Sequence, residues 1–343
     1  MNIPKIIHQI WLGPRTRPQF WMDTWKIDYL NNYPDWEYRL WTEKEVKELT
    51  LVNKKFYNRL AKNNKRYDKF AGMADILRYE ILYQFGGVFI DADSIWMNNK
   101  NLDDLLTICH KQMKTKVLNR ILKNKKVDPN ILNQIMEVQD DKITFNLQTL
   151  RSHLDPDLNI DLDINQCLFC AWEPDRNHVA NGVMGANPGN TALKEIIYNK
   201  LPLRCQKIGM EKPYLSVGPF LLDLVRKDMV VLPDYYFYPV YWQNNKNKII
   251  WLSKKERDNV RKDCYMYQFG YTTNQLGEKV KQRMNLLKET KKKNNSNNSN
   301  NNNNNNNPKN NSNNNLKNNN PKIKKKPKKN IKKQFIYNPP KKG

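Results

Sequence analysis

The chain has 343 residues, 39% of them hydrophobic, and a formal net charge of +25. No stretch approaches the roughly 18 apolar residues of a membrane span. The opening Met1-Asn2-Ile3-Pro4-Lys5 lacks the charged and apolar regions of a secretory leader.

Two materials share this chain. Residues 290–343 hold 15 Lys, 22 Asn and no Asp or Glu, and without them the net charge is +10. Such a tail cannot bury enough apolar surface to offset its ordering entropy, so disorder is expected over 286–343. Residues 1–285 are long enough for a full core. Five cysteines, an odd and sparse set, fit a reducing compartment better than a disulfide framework. Cys167 and Cys170 sit in an apolar run and read as core residues, not as zinc or redox ligands.

In chain order, the pattern alternates strand and helix. Ile3 to Leu12 is apolar and bounded by Pro4 and Gly13-Pro14, a buried strand. Pro18 opens a helix through Phe20, Trp21 and Trp25. Trp36 to Trp41 alternates as a second strand, and Thr42 with Glu45 forms a capping-box pattern for the helix that follows. Phe70, Met73, Ala74, Leu77, Ile81 and Phe85 recur at helical spacing, and Gly86 stops that helix. Val88-Phe89-Ile90 is a short buried strand ending in Asp91-Ala92-Asp93. Residues 101–163 are Lys-, Asn- and Leu-rich, with helical periodicity in Leu102, Leu105 and Leu106 and again in Ile131 and Ile135. They read as a mostly helical insertion. Strands are predicted at Cys167–Trp172, Val179–Met184 and Cys264–Phe269, and helices at Leu193–Tyr198 and Phe220–Val225.

Three sets of residues suggest chemistry. On an extended chain the carboxylates of Asp91 and Asp93 point to one side, at the carboxyl end of a strand, where open α/β sheets bind ligands. Two hard oxygen ligands suit Mg²⁺ or Mn²⁺. Two solvated turn aspartates are the plainer reading of D-x-D alone. Asp75 and Arg78 share a helix flank at i, i+3, either as a surface ion pair or as a carboxylate and guanidinium facing a ligand. Trp11, in Gln9-Ile10-Trp11-Leu12-Gly13, offers a flat face for a nucleobase or an ordinary core ring.

Together these pieces resemble one family. Ile3-Pro4-Lys5-Ile6-Ile7-His8-Gln9-Ile10-Trp11, Ala74-Asp75-Ile76-Leu77-Arg78 and Gly86-Gly87-Val88-Phe89-Ile90-Asp91-Ala92-Asp93 look like the signature of the DXD sugar-binding glycosyltransferases. These include yeast initiation-type α-mannosyltransferases and α-1,4-galactosyltransferases. They are similar to the catalytic domains of large clostridial glucosylating toxins. Asn181-Gly182-Val183-Met184, Gly218-Pro219, Leu232-Pro233 and Phe237-Tyr238-Pro239 look like later family segments, so the resemblance covers most of 1–275.

The resemblance implies an α/β GT-A fold and metal-dependent, retaining transfer of a sugar from a nucleotide-sugar, a UDP-sugar first, to a glycan or protein hydroxyl. It implies that Trp11 stacks on the base and that Asp75 and Arg78 hold the donor sugar. Asp91 contacts ribose, sugar or metal, and Asp93 ligates Mn²⁺ or Mg²⁺. It further places Gln9, Asn181 and Thr272 on the donor side, and His8, in the first strand, in a structural or nucleotide-proximal role. One departure stands out. The family often ends on a segment resembling H-H-x-x-x-S-W, whereas this chain has Tyr267-Gln268-Phe269-Gly270-Tyr271-Thr272-Thr273, with Gln268 at the metal-binding His position. An amide oxygen is a harder, weaker ligand than imidazole.

Two other readings compete. A buried strand ending in Asp91-Ala92-Asp93-Ser94 also resembles the nucleophile strand of haloacid-dehalogenase phosphatases. A degenerate core carrying a basic binding tail is the other. Lysines 324–326, 328–329 and 332–333 suit nucleic acid or an anionic surface, but A-rich codon drift explains an Asn/Lys tail more simply. With no leader or span in the sequence, the expected location is the cytoplasm of a bacterium or of a cell infected by a large A+T-rich DNA virus.

Overall fold

The computed structural model describes residues 3–62, 68–97, 99–125, 136–139, 142–145, 166–174, 177–239, 262–270 and 276–301. Met1–Thr290 form one compact unit and Lys291–Gly343 a second. The first unit is an α/β body built on a six-stranded mixed sheet.

β1 (Ile6–Ile10) leads to α1 (Gln19–Asp23), which continues through a π turn (Thr24–Tyr29) into α2 (Leu30–Asn32). β2 (Glu37–Trp41) then pairs parallel with β1. The predicted capping box is present: Thr42 Oγ1 accepts from Lys44 N–H, and Glu45 accepts from Thr42 N–H at 2.9 Å, opening α3 (Glu43–Lys47). After α4 (Lys54–Lys62) comes α5 (Asp68–Phe85), stopped at Gly86 with φ +65°, a left-handed conformation that glycine takes cheaply. β3 (Gly87–Ile90) follows and pairs parallel with β1.

This α5–Gly86–β3 reversal positions the site. Arg78 lies eight residues before Gly86, about 12 Å along a helix. Asp91 lies just past a four-residue strand, about 13 Å along it. The middle of α5 therefore sits over the carboxyl end of β3. α5 is also more deeply packed than a one-sided stripe implies: Ile76, Leu77, Tyr79, Ile81 and Leu82 are all fully buried. Even Glu80 is buried. Its carboxylate accepts from Val52 N–H, Asn53 N–H and the Asn53 side-chain amide, so the charge is hydrogen-bonded rather than stranded.

β7 (Leu168–Trp172) and β8 (Val179–Ala186) continue the sheet, which reads β2-β1-β3-β8-β7-β9, with β9 at Val230–Leu232. β8 runs antiparallel to β3 with Val183 opposite Ile90, so Gly182 and Asn181 fall just past the end of β3. Cys167 and Cys170 are buried and unlinked in the core, as expected. Burial pushes the Cys167 thiol up to about 12. A separate two-stranded sheet joins β4 (Ser94–Trp96) to β10 (Met266–Gln268), opposing Gln268 to Ser94.

Three expectations change. The stretch 101–163 does not begin as an insertion. α6 (Leu102–Lys125) is a core helix, with Leu102, Leu105, Cys109, Met113 and Val117 packed in the same cluster as Val88 and Phe169. Their spacing of three, four, four and four keeps one face on the core, while Lys and Asn occupy the other. Further on, β5 (Met136–Gln139) and β6 (Lys142–Phe145) form a hairpin rather than helix; Ile131 and Ile135 lie outside the described residues. Finally, the helix Gly277–Asn301 runs past residue 286, where disorder was expected. Leu276 and Val280 anchor its start in a core cluster, and Lys, Gln, Arg, Met and Leu favour helix through the next turns. Residues 302–343 lie outside the described residues. Among the described residues, no helix is long and apolar enough to cross a membrane.

Candidate functional site

A cavity of about 250 Å³ opens at the carboxyl end of β3. Asp75, Arg78, Asp91, Asp93, Asn181 and Gln268 all line it, brought from four parts of the sequence to one place. Glu173, Tyr214 and Tyr238 complete its walls.

Arg78 is the hub. Its guanidinium lies 3.1 Å from Asp75 Oδ1 and 3.4 Å from Asp91 Oδ1, donates to the Asn181 carbonyl, and rests 4.4 Å over the Phe89 ring. Asn181 returns the contact by donating its side-chain amide to Asp75 Oδ1 at 2.8 Å. The Asp75–Arg78 pair is therefore not a surface ion pair; the two side chains are 11% and 6% exposed. Burial outweighs the Arg78 charge and the Asn181 hydrogen bond, raising the Asp75 carboxyl to about 6. The same desolvation, with the charges of Asp93 and Asp75 adding to it against Arg78, raises Asp91 to about 7.

Gln268 bridges the two motif aspartates. Its amide donates to Asp91 Oδ2 at 2.6 Å and to Asp93 Oδ1 at 3.3 Å. Phe269 N–H donates to the Asp93 carbonyl at 2.9 Å, locking β10 against the motif turn. Both carboxylates thus converge on one polar group. Turned by half a rotation, that amide presents an oxygen to the same point, and nitrogen and oxygen are assigned from the hydrogen-bond network. Two carboxylates and an amide oxygen form a hard-oxygen set that fits Mg²⁺ or Mn²⁺ with waters or phosphate completing the shell. The cavity's charge agrees, because four carboxylates (Asp75, Asp91, Asp93, Glu173) face the single guanidinium of Arg78. Among the described residues, no group of three or more His, Cys, Asp or Glu forms a metal cluster by itself.

The remaining predicted residues are placed differently. His8 is fully buried and does not line the cavity. Its Nε2 lies 2.9 Å from the Gly86 carbonyl, which can only accept, and Trp41 Nε1–H donates to its Nδ1 at 3.1 Å. These partners fix a neutral ring with the proton on Nε2. His8 is a structural tie between β1, β2 and the Gly86 turn. Gln9, also buried, donates to the Asp91 carbonyl at 3.3 Å and accepts from the Tyr38 hydroxyl at 2.8 Å, so it supports the motif from beneath. Trp11 donates its indole N–H to the Arg15 carbonyl at 3.1 Å and packs beside Phe20 at the β4–β10 cluster, outside the cavity lining. Thr272 lies outside the described residues.

His8 carries a testable pH signature. Burial, first, lowers its pKa to about 4, and protonating Nδ1 would also cost the Trp41 hydrogen bond. Between pH 6.5 and 4 the unfolded chain takes up this proton and the folded chain does not. Stability is therefore lost as pH falls through that window, by about 3 kcal/mol in all. Asp75 and Asp91, with raised values, act in the opposite sense. They remain in a His8→Asn variant, so the comparison isolates the ring. Urea unfolding at pH 7 and pH 4.5 should show wild type losing about 2–3 kcal/mol more than the variant. Equal losses would place the proton elsewhere.

Residues 21–114, which carry Asp75, Arg78, Asp91 and Asp93, match the sequence model described as "Glycosyltransferase sugar-binding region containing DXD motif". By this match the segment resembles the sugar-binding region of DXD glycosyltransferases. The chain is also 35% identical over 107 residues to inositol phosphoceramide mannosyltransferase 3 of Schizosaccharomyces pombe, covering 30% of this chain and 27% of that protein. Mannosyl phosphorylinositol ceramide synthase SUR1 of Saccharomyces cerevisiae is 35% identical over 91 residues, 26% of this chain and 22% of that protein. The alignment thus spans about a quarter of the length of these curated relatives. Among solved structures, the PaToxG glycosyltransferase overlays with a TM-score of 0.37 at 13% identity, covering 66% of this chain and 70% of that one. The ligand-free glycosyltransferase domain of the YGT toxin gives 0.33 at 12% identity, covering 74% and 88%.

Tyr238, Glu173 and Tyr214 are cavity residues that residue-by-residue reasoning did not single out. Tyr238 stood in the segment Phe237-Tyr238-Pro239, a signal of position without a role. Glu173 and Tyr214 carried no signal, since only the tertiary fold brings the β7–β8 turn and the helix Pro213–Ser216 to the cavity rim.

Proposed function

We propose that this protein is a glycosyltransferase of GT-A type. In this reading it moves a sugar from a nucleotide-sugar, a UDP-sugar in the first instance, to an acceptor hydroxyl with retention, using Mn²⁺ or Mg²⁺. The observation that carries the reading is the convergence of the Asp75–Arg78 pair and the Asp91/Asp93/Gln268 group on one cavity at a strand's carboxyl end.

Each group has a task in that reaction. Asp75, ionised above its value of about 6, accepts hydrogen bonds from hydroxyls of the donor sugar. Asn181 and Arg78 fix the direction of its carboxylate. Arg78 balances Asp75 and Asp91 in a site that a nucleoside diphosphate, itself anionic, must enter. Asp91, Asp93 and the Gln268 oxygen would hold the cation. When bound, a divalent cation supplies Lewis-acid stabilisation of charge developing on the departing diphosphate. Glu173 and Tyr214, which line the same cavity, are the candidates to meet the acceptor hydroxyl. The names of the fungal relatives add mannose as a candidate sugar and inositol phosphoceramide as a candidate acceptor. A phosphatase reading leaves Asp75, Arg78 and Asn181 without a task and ties the would-be nucleophile Asp91 to Arg78 and Gln268.

The test is a thermal-shift and hydrolysis screen of UDP-glucose, UDP-galactose and GDP-mannose with MnCl₂ and MgCl₂. A true donor present at 100 times its Kd stabilises the fold by about 2.7 kcal/mol. Metal-dependent stabilisation by one of these donors is the expected result. Hydrolysis of simple phosphate esters with no nucleotide-sugar binding would refute the reading.

A further inference from the structure

Tyr238 follows β9 and a short turn at Asp234–Tyr236, and it is 6% exposed. The residue lines the cavity, and its hydroxyl is buried with no hydrogen-bond partner among the described residues. Buried tyrosine hydroxyls ordinarily find one, because an unmade hydrogen bond in a dry site costs free energy. The ring's position is not accidental packing, because the surroundings of the hydroxyl are specific. A Cβ built on Gly182 would come within 2.8 Å of Asp91 Oδ2, 3.0 Å of Tyr238 Oη and 3.2 Å of Gln268 Oε1. Three oxygens, from the end of β3, the loop after β9 and β10, therefore gather over one glycine of β8. Any side chain at position 182 would crowd all three.

The chemistry of the Asp91 and Tyr238 oxygens selects an occupant. The Asp91 carboxylate accepts, and the Tyr238 hydroxyl brings a proton to donate. A phosphoryl oxygen could take the Tyr238 proton but would face the Asp91 carboxylate unfavourably. A hydroxyl both accepts and donates, and so satisfies the set. We propose that Tyr238 is a sugar-selecting residue: its hydroxyl donates to a hydroxyl of the donor's sugar, and that hydroxyl donates in turn to Asp91. This role rests on the nucleotide-sugar reading above and adds to it a specificity contact on the sugar.

Tyr238→Phe removes the hydroxyl and nothing else. Without ligand, the variant should melt at the wild-type temperature or above it, since an unpartnered buried group is lost. Calorimetric titration with MnCl₂ should show UDP or GDP binding unchanged, and binding of the matching nucleotide-sugar weakened about tenfold. A deoxy donor lacking the contacted hydroxyl should bind wild type and variant alike. A lowered melting temperature would mean a structural hydroxyl, and equal losses for diphosphate and nucleotide-sugar would mean a contact away from the sugar. Either result, or unchanged affinity for the nucleotide-sugar, overturns the proposal. Failure of the wild type itself to bind any nucleotide-sugar overturns the proposed function, and this role with it.

Discussion

Replacing Asp93 with alanine should abolish sugar transfer, by about 10³-fold or more, while the fold remains intact. The magnitude follows from the task. Stabilising charge on a departing diphosphate is worth several kcal/mol, and about 4 kcal/mol of lost stabilisation is a thousandfold in rate. The intact fold follows from the surroundings. Asp93 sits in the turn after β3, and, after burial, its charge helps raise the Asp91 carboxyl to about 7. Removing that charge relieves repulsion, so the metal-free variant should melt no lower than wild type. Two measurements separate activity from stability. Manganese with a nucleotide-sugar should raise the melting temperature of wild type and not of the variant, and metal-stimulated donor hydrolysis should vanish. Unchanged metal-stimulated hydrolysis would remove Asp93 from the metal site. Asp93→Asn keeps one oxygen in place, so partial recovery at high manganese is expected for that variant alone.

What could be read from sequence divides along chain distance. Asp75, Arg78, Asp91 and Asp93 are related by one helix, one glycine turn and one short strand, so residue spacing nearly dictates their geometry. The second half of the site is not local. Gln268 reaches Asp91 across 177 positions, and Asn181 reaches Asp75 across 106. No periodicity reports such contacts; only the family likeness pointed to Gln268 and Asn181, and it left Tyr238 without a task. Composition misled at α6. Lysine and asparagine on its outer face made 101–125 look like an appendage, although its apolar positions carry part of the core. His8 shows the converse limit. It stands in a family-like segment, yet its partners, Trp41 and the Gly86 carbonyl, come from two other places and turn it away from the site. The Asp75–Arg78 pair was visible as a pair. Its burial was not, and burial raises the Asp75 carboxyl even with a guanidinium 3.1 Å away.

That burial makes Arg78 the residue whose loss should harm both fold and reaction. Arg78→Met matches the length of the side chain and keeps its apolar contact with Phe89, but removes the one cation that the described residues bring to a cavity with four carboxylates. Asp75 and Asp91 are left desolvated and uncompensated. Breaking a buried pair by removing one partner costs about 3–5 kcal/mol. The expected result is a urea midpoint shifted by that amount and no detectable transfer. Instability alone could explain the lost activity, so a second variant separates the causes. In Arg78→Met with Asp75→Asn, the most buried stranded carboxylate becomes neutral, and its amide can still pair with Asn181. Part of the stability should return, and none of the activity. Arg78→Lys gives the complementary arm: it keeps the charge but cannot contact Asp75, Asp91 and the Asn181 carbonyl together, because an ammonium lacks the planar fork of the guanidinium. It should retain most of the stability and still bind donor weakly. Restored transfer in the double variant would show that Arg78 only props up the fold. Lost transfer with recovered stability would show that the Asp75–Arg78 pair acts in the reaction itself, and weak transfer in stable Arg78→Lys would assign that part to the guanidinium.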